Sequence, residues 1–179
     1  MKKNIFPIGL LTGMLVLGNS LNTSARAPAK LPVADSAALV KSPNHSNVKG
    51  FKTDIQKSVT ENKNFRKVLY TAKHLQLVLM SLKPGEEIGS EIHAKSDQFF
   101  RFEGGSGKCI IKSTTYMVKD GDVIIVPAGS RHNVINTDAT RDLKLYTIYA
   151  VPQHQDGIIR ATKKDADQHA AKFDGKTTE

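Results

Sequence analysis

Between residues 83 and 136 short β-prone runs alternate with turns marked by glycine or proline. That alternation restricts the fold more than any compositional total. Two segments carry the histidines, 84–98 and 121–136, and a stretch of strand-like residues separates them. The pattern extends in both directions. Residues 64–71 are rich in Val, Tyr, Phe and Thr, which favour a pleated surface. Residues 75–82 form a nearly unbroken apolar run, which predicts a strand buried on both faces. Further strands are expected at 91–93, 98–103, 108–113, 115–119, 123–126 (buried), 132–136 and 143–151, with a flexible Gly-rich turn at 104–107. Short strands at regular spacing predict an all-β sandwich or barrel.

The flanks read differently. Residues 1–25 have the make-up of an export signal: Lys2 and Lys3, an apolar run, then small and polar residues. Small residues at the critical positions favour cleavage after Ala25, since Pro28 disfavours the site after Ala27; an uncleaved anchor is the alternative. A periplasmic or secreted location follows, with no membrane span once the signal is removed. Residues 26–49 are rich in Ala, Pro, Ser, Asn and Lys and are expected to form a flexible linker, with His45 solvated. The barrel is assigned to 50–155 and a charged, partly helical tail to 156–179, with a helix at about 164–172 and final residues that fray.

Composition narrows the functional classes. The chain has 179 residues, 39% hydrophobic and 24% charged, as a globular protein with one core does. The net charge of +9 comes from scattered lysines and not from a basic stripe, so no nucleic-acid partner is expected. Cys109 is the only cysteine, which excludes an intramolecular disulfide, and its neighbours Ile110 and Ile111 predict a buried strand thiol. His74 is read as an edge or turn residue.

The second histidine segment has Gly121, five residues, Pro127, one residue, Gly129, two residues, His132, three residues and Asn136. Every one of these defined positions resembles the second motif of the cupin family. The first motif of that family is Gly, five residues, His, one residue, His, three or four residues, Glu, six residues, Gly. Gly85 and His93 fit it; Glu91 stands where the first His belongs, and the Glu position falls on Asp97 or Gln98. Strand alternation favours Gln98, because Phe100 and Phe102 then share its inward face, whereas Asp97 would turn Arg101 and Glu103 inside.

The resemblance implies a single cupin β-barrel of the jelly-roll type holding one divalent transition metal ion. The implied ligands are Glu91, His93, Gln98 and His132. This mixed oxygen and nitrogen set suits Zn, Fe, Mn, Ni or Co. The alternative is a metal-free cupin in which Glu91 and Gln98 hydrogen-bond a ligand directly. Residues 60–165 also resemble a branch of small single-domain cupins often labelled sugar-isomerase-like, a label that rests on the fold. The implied function is a metal-dependent enzyme, isomerase- or dioxygenase-like, acting on a small polar molecule; the alternative is a non-catalytic, sugar-like ligand-binding protein of the cell envelope. Homodimerisation is expected from the same resemblance. Arg131 and Asn133 alternate away from His132 toward the surface, and Arg101 falls on the outside of the barrel. His154, in the tail after Pro152, is read as a surface-loop residue, with capping of the barrel mouth as the alternative.

Overall fold

The computed structural model describes residues 49–179. The export signal at 1–25, nearly all of the linker at 26–49 and His45 lie outside the described residues. Nine strands and two short helices are described: α1 Ile55–Glu61, β1 Arg66–Thr71, β2 Gln76–Leu82, β3 Asp97–Gly104, β4 Ser106–Ile111, β5 Thr114–Lys119, β6 Val123–Val126, β7 His132–Asn136, β8 Leu143–Ala150, β9 Ile159–Arg160 and α2 Lys163–Gln168. One antiparallel sheet has the order β6-β3-β8-β2-β1-β9 and the other β5-β4-β7. The fold is all-β, a jelly roll of two facing sheets, with the expected short C-terminal helix. The sheets share a core but are not closed into one hydrogen-bonded cylinder.

Alternation builds that core. On β3 Gln98, Phe100 and Phe102 point inward, and on β8 Leu143, Leu145, Thr147 and Tyr149 do the same. Val134 on β7 and Cys109 on β4 come from the opposite sheet. Phe100 and Phe102 are fully buried, each stabilising the fold by roughly 1.5–3 kcal/mol relative to exposure. Burial also pushes the Cys109 thiol up to about 11, so it packs as a small apolar group and not as a nucleophile.

The double burial predicted for the second strand is present, and α1 accounts for its outer face. Val78, Met80 and Leu82 enter the core, while Leu79 is buried on the other side of β2, where α1 packs and buries Val59. The Asp54 carboxylate caps the helix by accepting from Lys57 N–H at 3.0 Å. Lys144 Nζ ties its far end to the sheet, donating to the Asn62 carbonyl at 2.6 Å and to Ser81 Oγ at 2.8 Å.

Several expectations need correction. Val123–Val126 is buried on one face only: β6 is an edge strand paired only with β3, and although Val126 enters the core, the outward residues Val123 and Ile125 are 44% and 65% exposed. An apolar run does not say whether both of its faces will be covered. The Gly104–Gly107 stretch is no flexible turn, since β4 begins at Ser106 and Gly105 and Gly107 lie against neighbouring backbone. Residues 91–93 make one bridge, Glu91 with His132, and not a strand. The tail helix ends at Gln168, and the final residues do not fray. β9 pairs with β1, Thr178 N–H donates to the Thr71 carbonyl at 2.9 Å, and Thr71 N–H donates to Thr178 Oγ1 at 2.8 Å. His74 is exposed beside a turn, as expected. Among the described residues no helix is long and apolar enough to cross a membrane.

Candidate metal centre

Backbone pairing brings the site together. After β6 the chain turns through Pro127, Ala128 and Gly129, with Ser130 N–H closing on the Pro127 carbonyl at 3.1 Å. Gly129 adopts φ +77°, a left-handed conformation that favours glycine. Two contacts anchor this turn: Ala128 N–H donates to the Asp97 carboxylate at 2.8 Å, and Gly129 N–H donates to the His93 carbonyl at 2.9 Å. Asp97 therefore has a structural task at the barrel rim, and Gln98 is the residue that points inward.

The turn delivers His132 to the start of β7, where it is 2% exposed. Glu91 lies directly opposite, each residue's N–H donating to the other's carbonyl at 3.0 Å. Such a pair presents both side chains to one face, and His93, two residues along, projects toward the same space. Arg131 is exposed, and Asn133 donates to the Glu87 carboxylate at 2.8 Å, away from the centre. Arg101, half-buried, lies 3.4 Å from Glu103 on the outward side of β3.

One donor atom each from Glu91, His93 and His132 lies within 4.8 Å of the other two. Glu91 Oε1 is 3.1 Å from His93 Nε2 and 3.4 Å from His132 Nε2, though neither contact is aligned as a hydrogen bond. The opposite ring nitrogens explain why. His132 Nδ1 lies 3.0 Å from the Ser130 carbonyl, which can only accept, so Nδ1 carries the proton. His93 Nδ1 lies 3.1 Å from Gln153 Oε1, and Gln153 Nε2 is already donating to the Val151 and Pro152 carbonyls at 3.1 Å each. In the neutral rings both Nε2 atoms are consequently bare lone pairs facing a carboxylate. Gln98, the fourth residue of the expected set, donates from Nε2 to Thr147 Oγ1 at 3.0 Å, which leaves its Oε1 buried with no partner among the described residues.

The converging donors of Glu91, His93 and His132 could hold a cation between them. This arrangement fits a divalent metal, and the hydrogen bonds at Nδ1 are the outer contacts that fix a ligating imidazole's tautomer. Burial pushes the Glu91 carboxyl up, and only hydrogen bonds and charge from protonated His132 and His93 rings would outweigh it and bring the group down to about 2.

A cleft of about 350 Å³ opens onto Glu91 and His93 and is also walled by Arg66, Gln153, His154 and Lys172. His154 therefore belongs to the mouth of the site and not to a surface loop. The distant residue Gln76 holds it there. This fully buried amide accepts from His154 N–H at 2.9 Å and Gln153 N–H at 3.2 Å, and donates to the His154 carbonyl at 2.7 Å. His154 Nε2 is 3.3 Å from the Tyr149 hydroxyl. Burial, then the charge of Arg66, pushes the His154 imidazole down to about 3, so it is neutral. Burial and then the charge of Glu91 push the Tyr149 hydroxyl above its ordinary range.

Sequence reasoning missed Arg66, Gln76, Tyr149 and Gln153 as residues of the site. Tyr149 was accessible from the alternation of β8, and Gln76 was a polar residue heading an apolar strand. Arg66 and Gln153 carry no local signal.

Comparison with known proteins agrees with this fold. The family model described as "Cupin domain" matches residues 78–149. An uncharacterised protein of Bacillus subtilis (strain 168) is 48% identical over 124 residues, 66% of this chain and 66% of that protein. An uncharacterised protein of Acanthamoeba polyphaga mimivirus is 41% identical over 109 residues, 59% of this chain and 68% of that protein. The chain thus spans about two thirds of the length of these relatives. The crystal structure of a Bacillus halodurans protein superposes with a TM-score of 0.66 at 41% identity, covering 70% of this chain and 98% of that one. With its two facing antiparallel sheets and a His/Glu group able to hold a metal, the chain belongs to the cupin family.

Proposed function

We propose that this is an exported, metal-dependent cupin in which Glu91, His93, Gln98 and His132 hold one divalent transition metal ion and the cleft admits a small polar molecule. One observation carries the reading: the Nε2 atoms of His93 and His132 lie 3.1 and 3.4 Å from Glu91 Oε1, and neither makes a hydrogen bond. Such an ion, when bound, supplies Lewis-acid polarisation or activation of oxygen, the chemistry of an isomerase- or dioxygenase-like enzyme. The chain's own residues do the rest. Ser130 and Gln153 hold the imidazoles in the ligating tautomer, Thr147 orients Gln98, and Gln76 fixes the wall that carries His154.

A second reading, a non-catalytic binder of a sugar-like molecule, has its own support. His154 and Tyr149, the titratable neighbours of the ligand set, are pushed from neutral pH in opposite directions, and neither is poised for proton transfer there. Metal analysis comes first. Purified protein is expected to carry about one equivalent of metal per chain, lost in His93→Ala and in His132→Ala. Metal-free preparations, with both variants folded like the wild type, would overturn the metal reading. Turnover of a panel of sugars and oxyacids by the loaded protein then separates enzyme from binder.

Export and homodimerisation are part of the same proposal. The exposed apolar edge of β6 supports pairing of two copies. Protein recovered from the cell envelope is expected to begin at Arg26 and to show twice the chain's mass by light scattering. An intact Met1 terminus would count against export, and a single-chain mass against the dimer.

A further inference from the structure

Two cations in the cleft have nothing to pair with among the described residues. Arg66, at the start of β1, is half-buried; its Nε is buried without a hydrogen-bond partner, and it forms no ion pair there. The guanidinium carbon sits 5.7 Å from the centre of the Phe65 ring, a cation–π contact that steadies the head group without satisfying its N–H donors. A buried guanidinium N–H with no acceptor is costly, so Nε calls for one. The second cation, Lys172, comes from the tail. Its backbone bridges to His154, with Gln155 N–H donating to Ala171 at 3.1 Å and Phe173 N–H to Gln153 at 3.0 Å. These bonds hold Lys172 at the cleft wall.

Among the other wall residues Glu91 is the one acid, and it lies against His93 and His132 with no ion pair to Arg66 or Lys172; Gln153 is an amide and His154 is neutral. At about 350 Å³, the cleft suits a molecule of modest size. Arginine binds the oxygens of carboxylates and phosphates in pairs, and lysine adds a point charge.

We propose that this cleft is an oxyanion subsite: the molecule it takes is a small carboxylate or phosphate ester, gripped by Arg66 and Lys172, with its remaining polar end turned toward Glu91, His93, Gln98 and His132. The orientation of that second end rests on the metal reading, whereas the oxyanion subsite does not.

The test titrates the full, metal-loaded chain with glycolate, inorganic phosphate and the neutral amide glycolamide by calorimetry, and measures metal content in every sample. Glycolate or phosphate is expected to bind and glycolamide to bind at least about tenfold more weakly. Which anion binds more tightly identifies the source of the oxyanion. Arg66→Gln is expected to lose at least about tenfold in anion affinity at unchanged metal content, which a merely structural role would not produce. Unchanged affinity in Arg66→Gln, equal binding of glycolamide, or no anion binding by metal-loaded wild type would overturn the subsite. If the wild type holds no metal, the metal reading fails, but the same Arg66→Gln comparison still decides the subsite. Should Arg66→Gln not fold, the exposed Lys172→Gln takes its place: a severalfold loss of affinity supports the proposal, and none overturns it.

Discussion

Gly105→Ala is expected to leave little folded protein. Gly105 links β3 to β4 at φ +80°, so any side chain there starts from a strained backbone. An added Cβ would also lie 2.4 Å from the Asp142 carbonyl oxygen and 3.0 Å from Leu143 Cα. Both are backbone atoms, at the point where the chain enters β8, and neither can swing aside as a side chain would. Conformational strain and overpacking together should cost at least about 3 kcal/mol, out of a total stability on the order of 5–15 kcal/mol. Gly129→Ala is the control: its φ is +77°, but nothing lies within 4 Å of the added carbon, so only the conformational cost of about 1 kcal/mol applies. In thermal melts Gly129→Ala should shift the midpoint by a few degrees and Gly105→Ala far more. Similar midpoints for the two would show that contact at Gly105 is not limiting.

Glu91→Gln should separate metal binding from folding. The substitution keeps the shape of the side chain and both backbone bonds to His132, and it removes the only anionic member of the proposed ligand set. Metal affinity is expected to fall by more than about a hundredfold, beyond the usual loss for an outer contact. Without metal the effect on stability should reverse. The wild-type carboxylate faces two bare nitrogen lone pairs at 3.1 and 3.4 Å, whereas an amide N–H could donate to one of them. Metal-free Glu91→Gln should therefore melt no lower than the metal-free wild type. Chelator should lower the wild-type midpoint by several degrees and leave the variant unmoved, because ligand held at about 100 times Kd contributes roughly 2.7 kcal/mol. A variant that retains metal, or one that unfolds without it, would refute this account of the centre.

The inner face of the barrel was legible because side chains in a strand alternate. That rule chose Gln98 over Asp97: Gln98 is 1% exposed beside Phe100 and Phe102, while Asp97 is exposed and accepts from the Ala128 amide. Spacing was legible too, since Gly129 and Pro127 are needed wherever a chain must reverse that tightly before His132. The run from Val123 to Val126 misled because β6 has the composition of a covered strand but occupies an edge. Helix α1 was illegible for a different reason: seven residues with one fully buried side chain leave no periodicity to read.

By itself, then, the amino-acid sequence determined the all-β architecture, the family and the Glu91, His93 and His132 group that could hold a metal. Each of these follows from local spacing and two-residue alternation. Tertiary structure alone decided what surrounds that centre. Gln76 holds His154 from 78 residues away, Gln153 reaches back 60 residues to His93, and the bridge at His154 brings Lys172 to the cleft that Arg66 also lines. Contacts at such separations leave no local pattern in the chain, because they exist only once the sheets and the tail have closed over the core.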